Sequence, residues 1–140
     1  MAYCAQSDIL EQISETELIH LTDDADAGVV DESVLERAIA DADAEIDGYC
    51  GDRYSVPFTD VPDMIRKLSV DIAVYNLFSR RQGAPEGRKQ RYDDAIRFLE
   101  RVADGKASVP GVTGTTESAS DRVSLSSATR VFSRDNLEGF

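Results

Sequence analysis

Asp31-Glu32-Ser33-Val34-Leu35-Glu36-Arg37-Ala38-Ile39-Ala40-Asp41-Ala42-Asp43-Ala44-Glu45-Ile46-Asp47-Gly48-Tyr49 is the stretch that decides the fold. Leu35, Ala38, Ile39, Ala42, Ile46 and Tyr49 recur at three- and four-residue spacing, which draws one apolar stripe along a helix. Asp31 is placed to cap its first free amides. Ala38 and Ala42 are small, so a second helix can approach closely. The outer face carries Glu36, Asp41, Asp43, Glu45 and Asp47. Like charges so spaced destabilise an isolated helix, so packing against partner helices must hold this one.

Those partners are legible on both sides. Gly48 and Gly51 end the helix, and a connector containing Pro57 leads to Pro62, which fits the first turn of the next one. That helix, from Asp63 to about Gln82, is apolar over much of its circumference: Ile65, Leu68, Val70, Ile72, Ala73, Val74, Tyr75, Leu77 and Phe78. It is predicted to be central to a bundle or buried by a neighbouring subunit. Gly83 and Pro85 break it. A last helix from about Pro85 to Ala103 buries Tyr92, Ala95, Ile96, Leu99 and Val102, and Gly105 closes it. Upstream, Ser7 is placed to cap a short helix through Ile13, and Glu15 to Leu21 reads as another short turn bringing Leu18 and Leu21 inward.

Beyond Gly105 the composition turns to Gly, Ser and Thr, as in a linker. Val123, Leu125, Thr129 and Val131 then alternate with polar residues, a strand-like spacing. The last nine residues, Phe132-Ser133-Arg134-Asp135-Asn136-Leu137-Glu138-Gly139-Phe140, carry apolar anchors that a solvated terminus has no need of. The expected class is mainly α: a small bundle of three to four helices with an extended, partly strand-like C-terminal tail. The expected division is a helical domain over 1–105, a flexible linker over 106–121 and an extended docking segment over 122–140. Val123, Leu125, Val131, Phe132, Arg134, Leu137 and Phe140 are its candidate partner-binding residues. A tail folded back on its own domain is the plainer alternative.

At 140 residues and a net charge of −12 the chain suits one domain plus an appendage. The charge is uneven: residues 1–50 hold 14 Asp/Glu against a single Arg, while residues 51–105 hold 10 Lys/Arg against 9 acids. An acidic half repels a phosphate backbone, which argues against general nucleic-acid binding. It could also meet a basic face of an identical copy, a heterologous contact that closes into a ring if its rotation permits. No membrane-length apolar run and no signal peptide is evident, which points to the cytoplasm. Cys4 and Cys50, isolated and without CxxC spacing, are expected to be buried reduced thiols.

Catalytic chemistry finds no constellation. His20 has no Ser or Cys beside it, and no phosphate-cradling glycine loop or nucleophile elbow occurs. Asp23-Asp24-Ala25-Asp26-Ala27-Gly28-Val29-Val30-Asp31 is similar to a calcium loop, but Ala25, Ala27 and Val34 stand where ligands are required. No metal and no cofactor is expected. Asp71, set among Val70, Ile72, Ala73 and Val74, needs a partner if buried, and Arg53 is the expected one, since a guanidinium satisfies both carboxylate oxygens. Arg80, Arg81, Arg88, Lys89 and Arg91 flank the Gly83–Gly87 turn as a positive knob that could meet an acidic partner or simply decorate helix ends.

The chain resembles the Mu-like phage head–tail connector, or portal adaptor, family, long known as a phage domain of unknown function. The resemblance is carried by the order and spacing of Tyr3-Cys4, Glu17-Leu18, Leu21-Thr22-Asp23, Ala38-Ile39-Ala40-Asp41-Ala42, Ile46-Asp47-Gly48-Tyr49, Arg53-Tyr54, Pro57, Asp71-Ile72-Ala73, Tyr75, Leu77, Arg91-Tyr92, Ala95-Ile96, Leu99 and Phe132-Ser133-Arg134. Ala25 and Ala27 replace acids typical of the family's loop. The resemblance implies a virion structural protein of the neck, not an enzyme: a ring, as a rule of twelve sibling subunits, between the portal protein and the next neck or tail component. DNA would pass through its lumen without specific binding. The alternatives are another neck component, such as a head-closure or tail-terminator protein, and a small regulatory or ligand-binding module.

Overall fold

The computed structural model describes residues 2–81 and 83–114. Five helices follow in order: α1 (Gln6–Leu10), α2 (Glu15–Thr22), α3 (Glu32–Cys50), α4 (Asp63–Arg81) and α5 (Glu86–Ala103). α3, α4 and α5 pack on one another as a three-helix core, and α1 and α2 lie against α4. No strand occurs among the described residues.

α4 is the centre of this bundle, as its apolar circumference requires. Ile65, Leu68, Val70, Ile72, Ala73, Val74, Leu77 and Phe78 are all buried. On α3 the expected stripe of Leu35, Ala38, Ile39, Ala42 and Ile46 faces inward, with Tyr49 half-buried. On α5 the innermost residues are Ala95, Leu99 and Val102, while Tyr92 and Ile96 remain half-buried at its flanks.

The helix starts follow local chemistry. Asp31 accepts from the Ser33 and Val34 amides at 3.0 and 3.3 Å, satisfying two of the first-turn donors of α3. Pro62 and Pro85 each sit one residue before a helix and accept from its first turn, Arg66 N–H onto Pro62 and Lys89 N–H onto Pro85, both at 3.0 Å. A proline's missing N–H costs nothing there. α1 departs from expectation. Ala5, not Ser7, is its N-cap, because Asp8 reaches back to the Ala5 N–H at 2.8 Å. Gly48 lies inside α3, and Gly51 follows its last residue.

The packed domain also extends further than expected. Residues 106–121 were read as linker, yet Val109 is buried and donates its N–H to Tyr54 Oη at 2.9 Å. Ala107 and Val112 pack beside it. Tyr54 is joined through Phe58 to Tyr3, with ring centroids 6.1 and 5.7 Å apart, so an aromatic row ties the N-terminal segment and the α3–α4 connector to the chain after α5.

Gly105 makes the turn that permits this return. Its φ is +75°, and the Lys106 N–H closes onto Arg101 O at 2.8 Å, a left-handed helix end. A Cβ at Gly105 would overlap the guanidinium of Arg53, whereas one at Gly83, with φ +79°, would meet nothing. Both Gly83→Ala and Gly105→Ala incur the left-handed cost of about 1–2 kcal/mol. Gly105→Ala is expected to lose more, because Arg53 must also move. Urea unfolding of the two variants reads the difference, and equal losses would show that Arg53 yields freely.

Candidate functional site

The polar groups of this domain fall into three places: a buried node at the N-terminus, a pair of arginine clamps, and a groove beside α4. The node forms where the first residues cross α3 and α4. Asp43 was expected on the outer face of α3, one residue beyond the apolar stripe. It is instead buried, because the N-terminal segment covers that flank. One oxygen accepts the Tyr3 N–H at 2.9 Å and the other the Ser69 hydroxyl at 2.7 Å. Ser69 Oγ also lies 3.2 Å from Cys4 Sγ. Tyr3 donates its hydroxyl to Asp47, a short contact, and accepts the Phe58 N–H at 3.1 Å.

Burial pushes the Asp43 carboxyl above its usual range against the opposing effect of the Ser69 and Tyr3 donors. Burial likewise raises the thiols of Cys4 and Cys50 to about 11, so both buried cysteines stay protonated and inert at neutral pH. The Tyr3 hydroxyl is raised by burial and by its bond to Asp47. Nothing in the sequence pairs Tyr3 with Asp43 across 40 positions.

The basic knob is divided between two intramolecular clamps. Arg80 donates to Leu21 O at 3.1 Å and to the Asp24 carboxylate. Arg81 donates to Asp23 O at 2.8 Å and to Asp24 at 2.9 Å. Together they pin the acidic loop between α2 and α3 to the end of α4. Asp23 folds over that loop and accepts the Ala27 and Gly28 amides at 3.0 and 2.7 Å, bonds that hold its carboxyl below the usual range. Arg88 donates to Gln12 O at 2.7 Å and Arg91 to Gln12 Oε1 at 2.8 Å, tying α5 to the turn after α1. Lys89 is exposed.

Asp71 is buried, as its apolar context suggested, but its partner is Lys67, one turn earlier, at 3.1 Å, rather than the expected Arg53. The i, i+4 spacing of Lys67 and Asp71 was the available signal. Arg53 lies instead against Gly105 at the far end of α5. Asp71 opens onto a groove of about 540 Å³ between α1, α4 and α5, lined also by Asp8, Glu11, Asp63, Lys67, Val70 and Arg91. Tyr75 of α4 and Tyr92 of α5 stack at 4.0 Å, and Tyr92 donates to Glu45 of α3 at 3.0 Å. Burial and that bond push the Tyr92 hydroxyl up to about 12.

Val123, Leu125, Val131, Phe132, Arg134, Leu137 and Phe140 lie outside the described residues. His20 is exposed near Ser14, Glu17 and Phe78. Among the described residues no group of three or more His, Cys, Asp or Glu could hold a metal ion, and no helix is long and apolar enough to cross a membrane.

The family described as Bacteriophage Mu, Gp36 matches residues 3–127. Gene product J of Escherichia phage Mu is 36% identical over 138 residues, covering 96% of each chain. The Mu-like prophage FluMu protein gp36 of Haemophilus influenzae is 34% identical over 117 residues, 82% of this chain and 81% of that one.

The buried node gives a graded prediction. Asp43→Ala leaves the Tyr3 N–H and the Ser69 hydroxyl without their acceptor, a loss of about 1–3 kcal/mol. Asp43→Asn is expected to lose less, since its carbonyl can accept from Tyr3 while its amide donates to Ser69 Oγ. The folded state holds the Asp43 proton more tightly than the unfolded chain does. Its contribution to stability therefore rises as pH falls from neutral toward the ordinary carboxylate range, and Asn removes that slope. Urea melts of both variants and the parent at neutral pH and in that range are the measurement. Equal losses for Ala and Asn, or an unchanged slope, would contradict the assignment.

Proposed function

This chain belongs to the Bacteriophage Mu, Gp36 family, and on that premise we propose that it is a structural protein of the phage neck, a head–tail connector that forms a ring beneath the portal. The observation that carries the reading is the reach of the similarity. It runs through the helical domain and into the tail, and with gene product J of phage Mu it covers nearly all of both chains. A domain and its trailing segment retained as one unit suit a part whose tail and body engage different surfaces.

The described domain is consistent with such a part. Its buried polar groups serve the fold, its two thiols are inert, and its arginine clamps fix loops rather than frame a reaction centre. The exposed side of α3 carries Glu32, Glu36 and Asp41 with a lone Arg37. Such a face turned toward a lumen would let DNA slide past without sticking. An acidic face and a basic one on the same subunit also suit the head-to-tail contacts that close rings.

The test is light scattering of the full chain, alone and mixed with the portal ring of its own phage, beside a chain ending at Gly114. That end point keeps Val109 and the Gly105 turn, which a cut at Gly105 would remove. A joint species with a ring's worth of the full chain, lost on shortening, is the expected result. Failure of the full chain to join the portal overturns the connector reading.

A further inference from the structure

The groove beside α4 has the makings of a peptide site. Past Lys67, Asp71 and Arg91 it continues into a second hollow of about 200 Å³ floored by Met64, Leu68, Ala95 and Phe98. Val70 on one side and this apolar floor on the other thus flank a single buried carboxylate. The Asp71 side chain is 6% exposed, and only Oδ2 is held by a described residue, Lys67, whose own side chain is 68% exposed. A buried carboxylate paired with one solvent-exposed ammonium gains from a second cation. A guanidinium is the best fit, because its planar fork takes both oxygens.

The complementary chemistry is a short peptide with one arginine between bulky apolar residues, and residues 132–140 of this chain have it. Arg134 follows Phe132 by two positions and precedes Phe140 by six. Positions two apart share a face of an extended peptide. Glu138, on that same face, complements Arg91, whose bond to the neutral Gln12 amide leaves its charge uncancelled.

The exit of the chain says whose tail this is. Pro110 and Gly111 lie beside Asp63 and Met64, at the end of the groove itself. A tail serving its own groove would need only a few residues to reach it. Residues 115–131 intervene instead, and 17 residues have a contour length of at most about 60 Å (3.3–3.6 Å each). That bound exceeds the dimensions of the domain, whose radius of gyration is about 13 Å by the scaling for 100 residues, so the tail has the length to reach a second copy. We propose that the α1–α4–α5 groove receives residues 132–140 of a neighbouring copy, with Arg134 seated on Asp71. The presence of a neighbour follows from the ring reading above, but the contact joins two copies of this chain and needs no portal to be measured.

The probe is a fluorescein-labelled peptide of residues 129–140. The acceptor is the full-length chain carrying Phe132→Ala, Arg134→Ala and Phe140→Ala, so that its own tail does not compete. Saturable binding by anisotropy is expected, weakened at least about tenfold (1.4 kcal/mol) by Arg134→Ala in the peptide or by Asp71→Asn in the acceptor. The peptide variant decides the matter even where Asp71→Asn fails to fold. No binding, or binding indifferent to Arg134, overturns the proposal. Sedimentation of the wild-type chain then identifies the donor: self-association that the triple variant loses supports a neighbour's tail, whereas a monomer well above the peptide's dissociation constant assigns the groove to the chain's own tail. Peptide binding without portal binding would leave this contact standing and remove the connector reading. The reverse would remove the contact alone.

Discussion

α4 is apolar around most of its circumference, and that constraint organises the domain. A helix with apolar residues around most of its circumference loses the burial of a side chain, roughly 1.5–3 kcal/mol each, wherever a neighbour is missing. α3 and α5 cover two flanks, and α1 with α2 covers part of the remainder. The N-terminal segment and the connector after α3 complete the cover through Tyr3, Tyr54 and Phe58, all buried. Along the first turns of α4 what remains exposed is Asp63, Arg66 and Lys67, which line the groove.

The polar residues of α4 show how the covering elements are held in register. Ser69 is fully buried among apolar neighbours, and its hydroxyl reaches Asp43 of α3. Asp43 in turn holds the backbone of Tyr3. One serine therefore links α4, α3 and the N-terminal segment in a single bonded path. At the other end of α4, Arg80 and Arg81 reach the loop after α2. Hydrophobic contact alone leaves helices free to slide by a turn, whereas a satisfied buried network admits one arrangement.

Charge is redistributed by the same contacts. The sequence places a strongly acidic half before a nearly neutral one, but folding brings Arg80 and Arg81 onto Asp24 and so neutralises part of that acidity locally. Arg88 and Arg91 bond to the carbonyl and amide oxygens of Gln12, which are neutral, so their charge is not cancelled by those bonds. The surface is thereby left with an acidic face on α3 and a basic corner on α5. This asymmetry suits association between identical subunits better than it suits a nucleic-acid partner.

Helical periodicity determined α3, α4 and α5 from sequence alone, because apolar spacing and the Asp31, Pro62 and Pro85 signals are local and agree with one another. The centrality of α4 was equally legible, since a helix apolar on most faces has nowhere else to go. A Mu-like phage family could also be read from spacing, and the comparisons bear out that much. The buried state of Asp43 was not legible. A charged residue beside an apolar stripe reads as solvated until a distant segment covers it, and Tyr3 lies 40 positions away. The packing of Val109 escaped for the same reason: its Gly- and Ser-rich surroundings suggest a linker, and only Tyr54 shows where its N–H goes. The partner of Asp71 was decided by one turn of helix, which brings Lys67 beside it while Arg53 is carried to the far end of α5. Sequence fixes what each residue requires of its surroundings, and tertiary structure chooses which distant group meets that requirement, because hydrogen bonds and ion pairs act over a few ångströms that chain distance does not measure.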